Sequence, residues 1–327
     1  MLYPLKFKPV FKEKIWGGNR IQDKLGLDFS PLPNCGEAWV LSGVDECQTV
    51  VANGFLAGND LNEILEIYMD ELVGEKVYEK HKNEFPILVK FIDANDWLSI
   101  QVHPDDELAA RRRIGNGKTE MWYILDADPN AELISGFNRK MDKDTYQKYA
   151  HKNSLKEILN FEKVDKGDVF YIPAGRVHAL GPGILLAEIQ QTSDITYRIY
   201  DWDRIDDKGD QRVLHTEFAL DALDFTFYNK YRTDYRSPKN GSASLLKEAF
   251  SSVNLIHLNQ PIEKDYSELD SFVIYLCTDG LFNLKTNEYT INVKKGECVL
   301  IPSIVDFVQI YPEYHAEILE VYILPQP

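Results

Sequence analysis

The chain has 327 residues, and its 36 Lys and Arg against 52 Asp and Glu leave a formal charge of −16. So acidic a surface argues against nucleic acid and anionic membrane as partners, and it would hold off a phosphorylated substrate unless a local cluster of Lys and Arg received it. With 44 % apolar residues there is enough for a sizeable core in one large domain or two, and no apolar run is long enough to span a bilayer.

The opening stretch, MLYPLKFKPVFKEKIWGG, lacks the apolar centre of a secretion signal, and Cys35, Cys47, Cys277 and Cys298 are scattered with no C-x-x-C pair. Both features predict a cytoplasmic protein with reduced thiols. Short β-rich runs follow at Ala38–Ser42, Pro86–Ile92, Leu98–His103, Thr119–Leu125, Val169–Ile172, Ile184–Gln190, Ser271–Cys277 and Cys298–Ile301. Gly, Pro, Asn and Asp turns separate them, as in a sandwich or barrel. Asp60–Lys80 reads as helix, with Leu61, Ile64, Leu65 and Tyr68 at helical spacing and a break allowed at Gly74. Asp142–Leu159 reads as a second, polar-amphipathic helix capping a sheet. The polar run Arg232–Ser244 is the best linker, dividing the chain into 1–231 and 245–327.

Some signals point nowhere further. The run Arg111–Arg113 reads as a solvated helix face, and Gly115–Gly117 is a turn too short to cradle phosphate. Trp16, Trp39 and Trp122 are core aromatics or sugar-stacking rings. His81, His151, His215, His257 and His315 have no companions and read as ordinary polar residues.

Residues 98–125, LSIQVHPDDELAARRRIGNGKTEMWYIL, hold the chemistry. Leu98, Ile100 and Val102 alternate with Ser99, Gln101 and His103, so the three polar side chains share one strand face. A second pattern joins them: KGDVFYIPAGRVHAL from Lys166 matches KGECVLIPSIVDFVQ from Lys295 at a constant offset of 129. Gly167 aligns with Gly296, Asp168 with Glu297, Ile172 with Ile301 and Pro173 with Pro302. Such a repeat predicts two similar β-barrels, as in duplicated cupins. His178 of the first copy falls opposite Phe307, a ring that binds no metal, so the first barrel is expected to work and the second to be structural. Inside the first barrel, Gln101, His103, Glu120 and His178 bring two imidazoles, a carboxylate and an amide oxygen together, a set able to hold a divalent metal with open positions.

The ordered motifs Trp16-Gly17-Gly18, Gly36-Glu37-Ala38-Trp39, FPILVKFIDANDWLSIQVHPDD, GKTEMWYIL, PAGRVHALGPG and EIQQTSDITYRIYDW resemble the type I mannose-6-phosphate isomerases in their shorter bacterial form. The resemblance spans most of residues 10–205; beyond about 206 it is one of pattern only. It implies a mainly β fold of duplicated cupin (jelly-roll) barrels with helical insertions. The catalytic metal-binding cupin would occupy 1–231 and a degenerate cupin 245–327. It also implies one zinc ion per chain on Gln101, His103, Glu120 and His178, and an aldose–ketose isomerase working through a cis-enediol or enediolate. The expected partner is a small sugar phosphate, met by a monomer or weak homodimer.

The resemblance places Arg198 where a fixed guanidinium stabilises the enediolate or grips phosphate, and Glu188 at an acidic active-site position. Lys90, Ser99 and Lys118 would supply the local cations and hydroxyl, Lys118 alternatively the base, and Trp16 would line the sugar. The plainer alternatives are an Arg198 paired with Asp194 or Asp201 and a Lys90 at a strand edge. For the whole chain they are a double cupin that binds sugar phosphate without catalysis, or an isomerase of another aldose.

Overall fold

The computed structural model describes residues 2–152, 154–205, 209–237 and 239–324, and among these the strands form three sheets. Val10–Lys12, Glu37–Leu41, Ile87–Ala94, Glu120–Ala127, Val169–Ile172 and Ile184–Gln191 make a six-stranded sheet. Ile100–Val102, Glu132–Phe137, Leu159–Lys163, His178–Leu180 and Tyr197–Tyr200 make a five-stranded sheet facing it. All pairings are antiparallel, so each strand shows one side chain in two to the space between the sheets. Leu98, Trp122, Leu133, Phe170, Ile172 and Leu186 fill that space as the core of the first barrel. On the other side of the five-stranded sheet, Ile100 and Val102 pack with Tyr146 and Ala219 of two short helices. Ser99, Gln101 and His103 therefore face inward, opposite Ile100 and Val102; Leu98, ahead of the strand proper, departs from the alternation and packs inward too.

The third sheet has nine strands and is built on two long ones, Val273–Lys285 and Phe307–Tyr322. It draws on both ends of the chain: Leu5 and Lys6 pair with Leu300 and Val299, and Phe7 and Lys8 with Val51 and Val50. The apolar layer between this sheet and the six-stranded one runs from Leu5 through Phe91 and Ile189 to Leu319. At about 25 cal/mol per Å² of buried apolar surface, such a layer holds the two barrels as one packed body. The fold is mainly β, a duplicated cupin with helical insertions.

Both copies of the Gly-acid repeat form the same device. Gly167 and Gly296 have φ of 90° and 85°, which glycine adopts without a Cβ penalty. Asp168 Oδ2 accepts from the Asp165 N–H at 2.8 Å, and Glu297 Oε2 from the Lys294 N–H at 2.9 Å. Each turn then launches a strand, Val169–Ile172 or Cys298–Ile301. The expected contrast between His178 and Phe307 takes a different form. His178 is buried, whereas Phe307 opens its strand 52 % exposed and fills no interior. Tyr275, Phe282, Val299 and Ile301 fill the second barrel instead.

The helical reading of Asp60–Lys80 resolves into Leu61–Val73 and Glu75–His81, with Asp60 and Glu63 forming a capping box and the break at Gly74. The second predicted helix is shorter than expected. Lys143–His151 is helical after an Asp142 cap, a 3₁₀ turn follows at Leu155–Glu157, and Leu159 already belongs to a strand. Among the described residues no helix is long and apolar enough to cross a membrane.

Candidate active site

Two rows of side chains face each other across the first barrel. In the five-stranded sheet Arg198, Gln101 and His178 are successive cross-strand partners. In the six-stranded sheet the row is Trp39, Lys90, Glu188 and Trp122. Between them opens a cavity of about 300 Å³, lined by Trp16, Lys90, Ser99, Gln101, Lys118, Trp122, His178, Glu188 and Arg198. His103 and Glu120 are buried beside it. All ten site residues expected from the sequence thus gather at one place.

The metal-type cluster is buried and geometrically close. His103 Nε2 lies 3.2 Å from Glu120 Oε1, and His178 Nε2 lies 3.8 Å from Glu120 Oε2. Both Nδ1 atoms sit 2.8 Å from backbone carbonyls, of Ile195 for His103 and of Arg176 for His178. A carbonyl only accepts, so each Nδ1 carries the proton and each Nε2 presents a lone pair to the cluster. His103 Nε2 and Glu120 Oε2 have no hydrogen-bond partner among the described residues, and Glu120 Oε1 has only the Lys118 ammonium at 3.0 Å, without an aligned hydrogen bond. Buried polar atoms without partners are costly, and a divalent cation at their centre would satisfy all three. Burial and the nearby Lys118 charge push His103 down to about 3, and burial likewise lowers His178, so both imidazoles are neutral, the form in which a ring nitrogen can ligate a metal. Gln101 turns its amide nitrogen toward His178 Nε2 at 3.3 Å, while its oxygen accepts from the Ser99 hydroxyl. It can donate oxygen to a metal only after the amide turns over.

Charge fills the rest of the floor. Burial opposes ionisation of Glu120, but the Lys118 ammonium beside it outweighs burial and holds the carboxyl well below its ordinary range. Burial would lower Lys118 too, yet Glu120, 3.0 Å away, and Glu188 raise it and keep the ammonium charged. Glu188 is pushed upward by burial and by Glu120, against Lys90 at 3.3 Å, and accepts from Trp122 Nε1 at 2.8 Å. Lys90 is no edge lysine: its strand lies inside the sheet and its ammonium sits over the Trp39 ring. Arg198 makes no ion pair with Asp194 or Asp201 among the described residues; its Nη1 donates to the Val213 carbonyl.

Several wall residues escaped sequence reasoning. Lys14, Glu37, Asp194 and Arg212 also line the cavity. Glu37 was signalled by its place two residues before Trp39, on the same strand face, and it accepts from Trp39 Nε1 at 2.7 Å. Arg212 follows no periodic element and had no signal. His215 is less ordinary than expected, since its Nδ1 accepts from the Arg198 N–H at 3.2 Å. Arg112 is also not fully solvated; it bonds the Tyr197 hydroxyl at 2.7 Å and Asp221 at 2.8 Å.

Comparison with known proteins gives a consistent picture. The family described as phosphomannose isomerase type I, catalytic domain, matches residues 4–164. The mannose-6-phosphate isomerase ManA of Bacillus subtilis is 36 % identical over 302 residues, 91 % of this chain and 93 % of that protein. The mannose-6-phosphate isomerase of Streptococcus mutans is 42 % identical over 223 residues, 68 % of each chain. The crystal structure of the Bacillus subtilis mannose 6-phosphate isomerase superposes with a TM-score of 0.88 at 32 % identity, covering 99 % of this chain and 100 % of that one.

Proposed function

We propose that this chain, which belongs to the type I phosphomannose isomerase family, interconverts D-mannose 6-phosphate and D-fructose 6-phosphate. The observation that carries the reading is the buried His103–Glu120–His178 cluster, with its inward lone pairs, set beside a cavity walled by Arg198. With Gln101 these residues would hold a divalent ion, and two imidazoles with carboxylate and amide oxygens suit zinc. Such an ion, when bound, polarises a carbonyl oxygen or holds two vicinal oxygens cis.

The isomerisation moves one proton from C2 to C1 and one from O2 to O1, with no net change in electrons. Negative charge builds on a former carbonyl oxygen, and Arg198 is the fixed guanidinium placed to stabilise it. Proton transfer falls to the Lys118 and Glu188 side of the cavity. Lys118 Nζ stays charged and can donate to an oxygen. Burial and Glu120 push Glu188 upward, which fits a carboxyl that takes and returns a proton. Trp16 supplies an apolar wall for the sugar, Ser99 a hydroxyl, and Lys90 fixes Glu188. A coupled assay with mannose 6-phosphate, run before and after chelation and with zinc added back, tests the reading. Activity that ignores chelation would overturn its metal half, and no turnover in the metal-loaded enzyme would overturn the whole.

A further inference from the structure

The cavity's cations are unevenly matched. Lys14 faces Glu37 at 3.1 Å, Lys90 faces Glu188, and Lys118 faces Glu120, so each lysine has its own carboxylate. On the Arg198 wall the guanidiniums of Arg204 and Arg212, with Arg198 within range of their charges, share one buried carboxylate, Asp201. Its Oδ2 accepts from Arg212 Nε at 2.6 Å, and its Oδ1 accepts from Arg212 Nη2 and Arg204 Nη2. Arg204 also has Asp96 at 3.6 Å. Arg198 and Arg212 both line the cavity, and the buried Nε of Arg198 has no hydrogen-bond partner among the described residues.

The segment that places Asp201 is strained and pinned. Trp202 and Asp203 both have positive φ, 60° and 56°, a region that costs L-residues energy and persists only where the surroundings impose it. They are imposed here: Trp202 Nε1 donates to the Leu98 carbonyl at 2.7 Å, its ring lies 4.7 Å from Trp97, and the Tyr200 hydroxyl donates to Asp203 at 2.8 Å. The segment carrying Asp201 is thus held against Leu98, and through a two-point pair Asp201 fixes Arg212 in turn.

We propose that Arg212 is a specificity-determining residue that receives the substrate's phosphate on this wall, and that Asp201 is the positioning residue that aims it. The proposal rests on the isomerase reading above and deepens it. A phosphate monoester carries about −1.5 to −2 charge near neutral pH and prefers the planar fork of arginine. The wall with excess guanidinium charge meets that demand in an acidic protein; the lysine side, matched pair by pair, does not. A bidentate Asp–Arg pair uses two of the fork's donor atoms and leaves the remaining edge free for an anion.

The test measures KM and kcat for mannose 6-phosphate, and the affinity for inorganic phosphate by calorimetry, in the metal-loaded wild type, Arg212→Ala, Arg212→Lys and Asp201→Asn. Arg212→Ala should raise KM and weaken phosphate roughly 10- to 100-fold, as for a lost charged hydrogen bond, with kcat within about threefold. Arg212→Lys should recover part of the affinity. Asp201→Asn gives a sign test. If the carboxylate merely cancels charge, its removal tightens phosphate; if it aims Arg212, phosphate weakens. Unchanged affinities in a folded Arg212→Ala protein would overturn the proposal, and tighter phosphate in Asp201→Asn would overturn the positioning role. Should the wild type fail to isomerise mannose 6-phosphate, the isomerase reading falls, and the calorimetric comparison still decides whether Arg212 binds the anion.

Discussion

Gln101 and His178 stand directly opposite each other on neighbouring strands, with the amide nitrogen of one 3.3 Å from Nε2 of the other. The pair couples the weakest donor of the cluster to one of its two imidazoles. His178→Ala should remove most of the bound metal, from about one ion per chain, and most of the activity. The fold should survive, because the imidazole's polar contacts are with the site and a carbonyl, and it meets the apolar core edge-on at the Trp122 ring. Gln101→Leu should be milder, costing roughly 10- to 100-fold in metal affinity, the size usually seen when a supporting group is lost. Elemental analysis after gel filtration, with circular dichroism as the control, reads both. Unchanged occupancy in His178→Ala would take that residue out of the site.

Glu37 should leave a mark on acid stability. Burial opposes its ionisation, but Lys90, Lys14 and the Trp39 N–H outweigh burial and hold it at about 2, below its ordinary value of 4.5. A carboxyl depressed in the folded state contributes stability that is fully present above about 4.5 and is lost as pH falls toward 2. The contribution is on the order of 3 kcal/mol. Glu37→Gln should therefore be less stable at pH 6 and show a flatter loss between pH 4.5 and 3. Urea titrations across that range check it; parallel slopes for the two proteins would mean that Glu37 is not paired in the fold.

Phe307 and Phe282 make a matched pair for the second barrel. Phe307 is 52 % exposed, whereas Phe282 is fully buried among Tyr275 and Val293. Phe307→Ala should stay within about 0.5 kcal/mol of the wild type, while Phe282→Ala should cost about 3–5 kcal/mol. Denaturant midpoints separate the two, and mannose 6-phosphate turnover at low temperature should be unchanged in both. A large activity loss in folded Phe307→Ala would give the second barrel a role beyond support.

What the sequence made legible follows from period and repetition. The inward face of Ser99, Gln101 and His103 came from a period of two, and the twin turns at Gly167 and Gly296 came from the repeat, down to the acid that accepts three residues back. Pairing at long range was not legible. Nothing local in Leu5–Lys8 says that it closes on Val299 and Leu300, because strand partnership is decided by which apolar face is left uncovered after the sheets stack. The arginine wall was hidden for a related reason. Arg212 lies outside the named strands and helices, and its side-chain pair with Asp201 at the cavity is one that no local pattern announces. Phe307 was misplaced although both strands open at the aligned point: an offset fixes where a strand starts, not whether its first side chain is covered, and His178 is buried where Phe307 is exposed.

Arg198 separates catalysis from binding. It is the cross-strand neighbour of Gln101, so its guanidinium enters the cavity beside the metal-type cluster, with Nη1 held by the Val213 carbonyl at 2.9 Å and Nε unpaired among the described residues. A preorganised donor of this kind acts on charge that appears only in the transition state, and its loss lowers kcat and kcat/KM together. Arg198→Ala should therefore cost about a hundred- to a thousand-fold in kcat, or 2.7–4 kcal/mol, with KM for mannose 6-phosphate changed by less than about tenfold. Arg198→Lys should recover little, because an ammonium cannot keep both the Val213 contact and the reach toward the substrate oxygen. The contrast with Arg212→Ala, where KM should move and kcat stay, makes the assignment sharp. Steady-state kinetics of the two alanine variants, each loaded with metal to wild-type content, decide it. A KM-only effect in Arg198→Ala would move that residue to the phosphate wall and leave the developing oxyanion to the bound cation and Lys118.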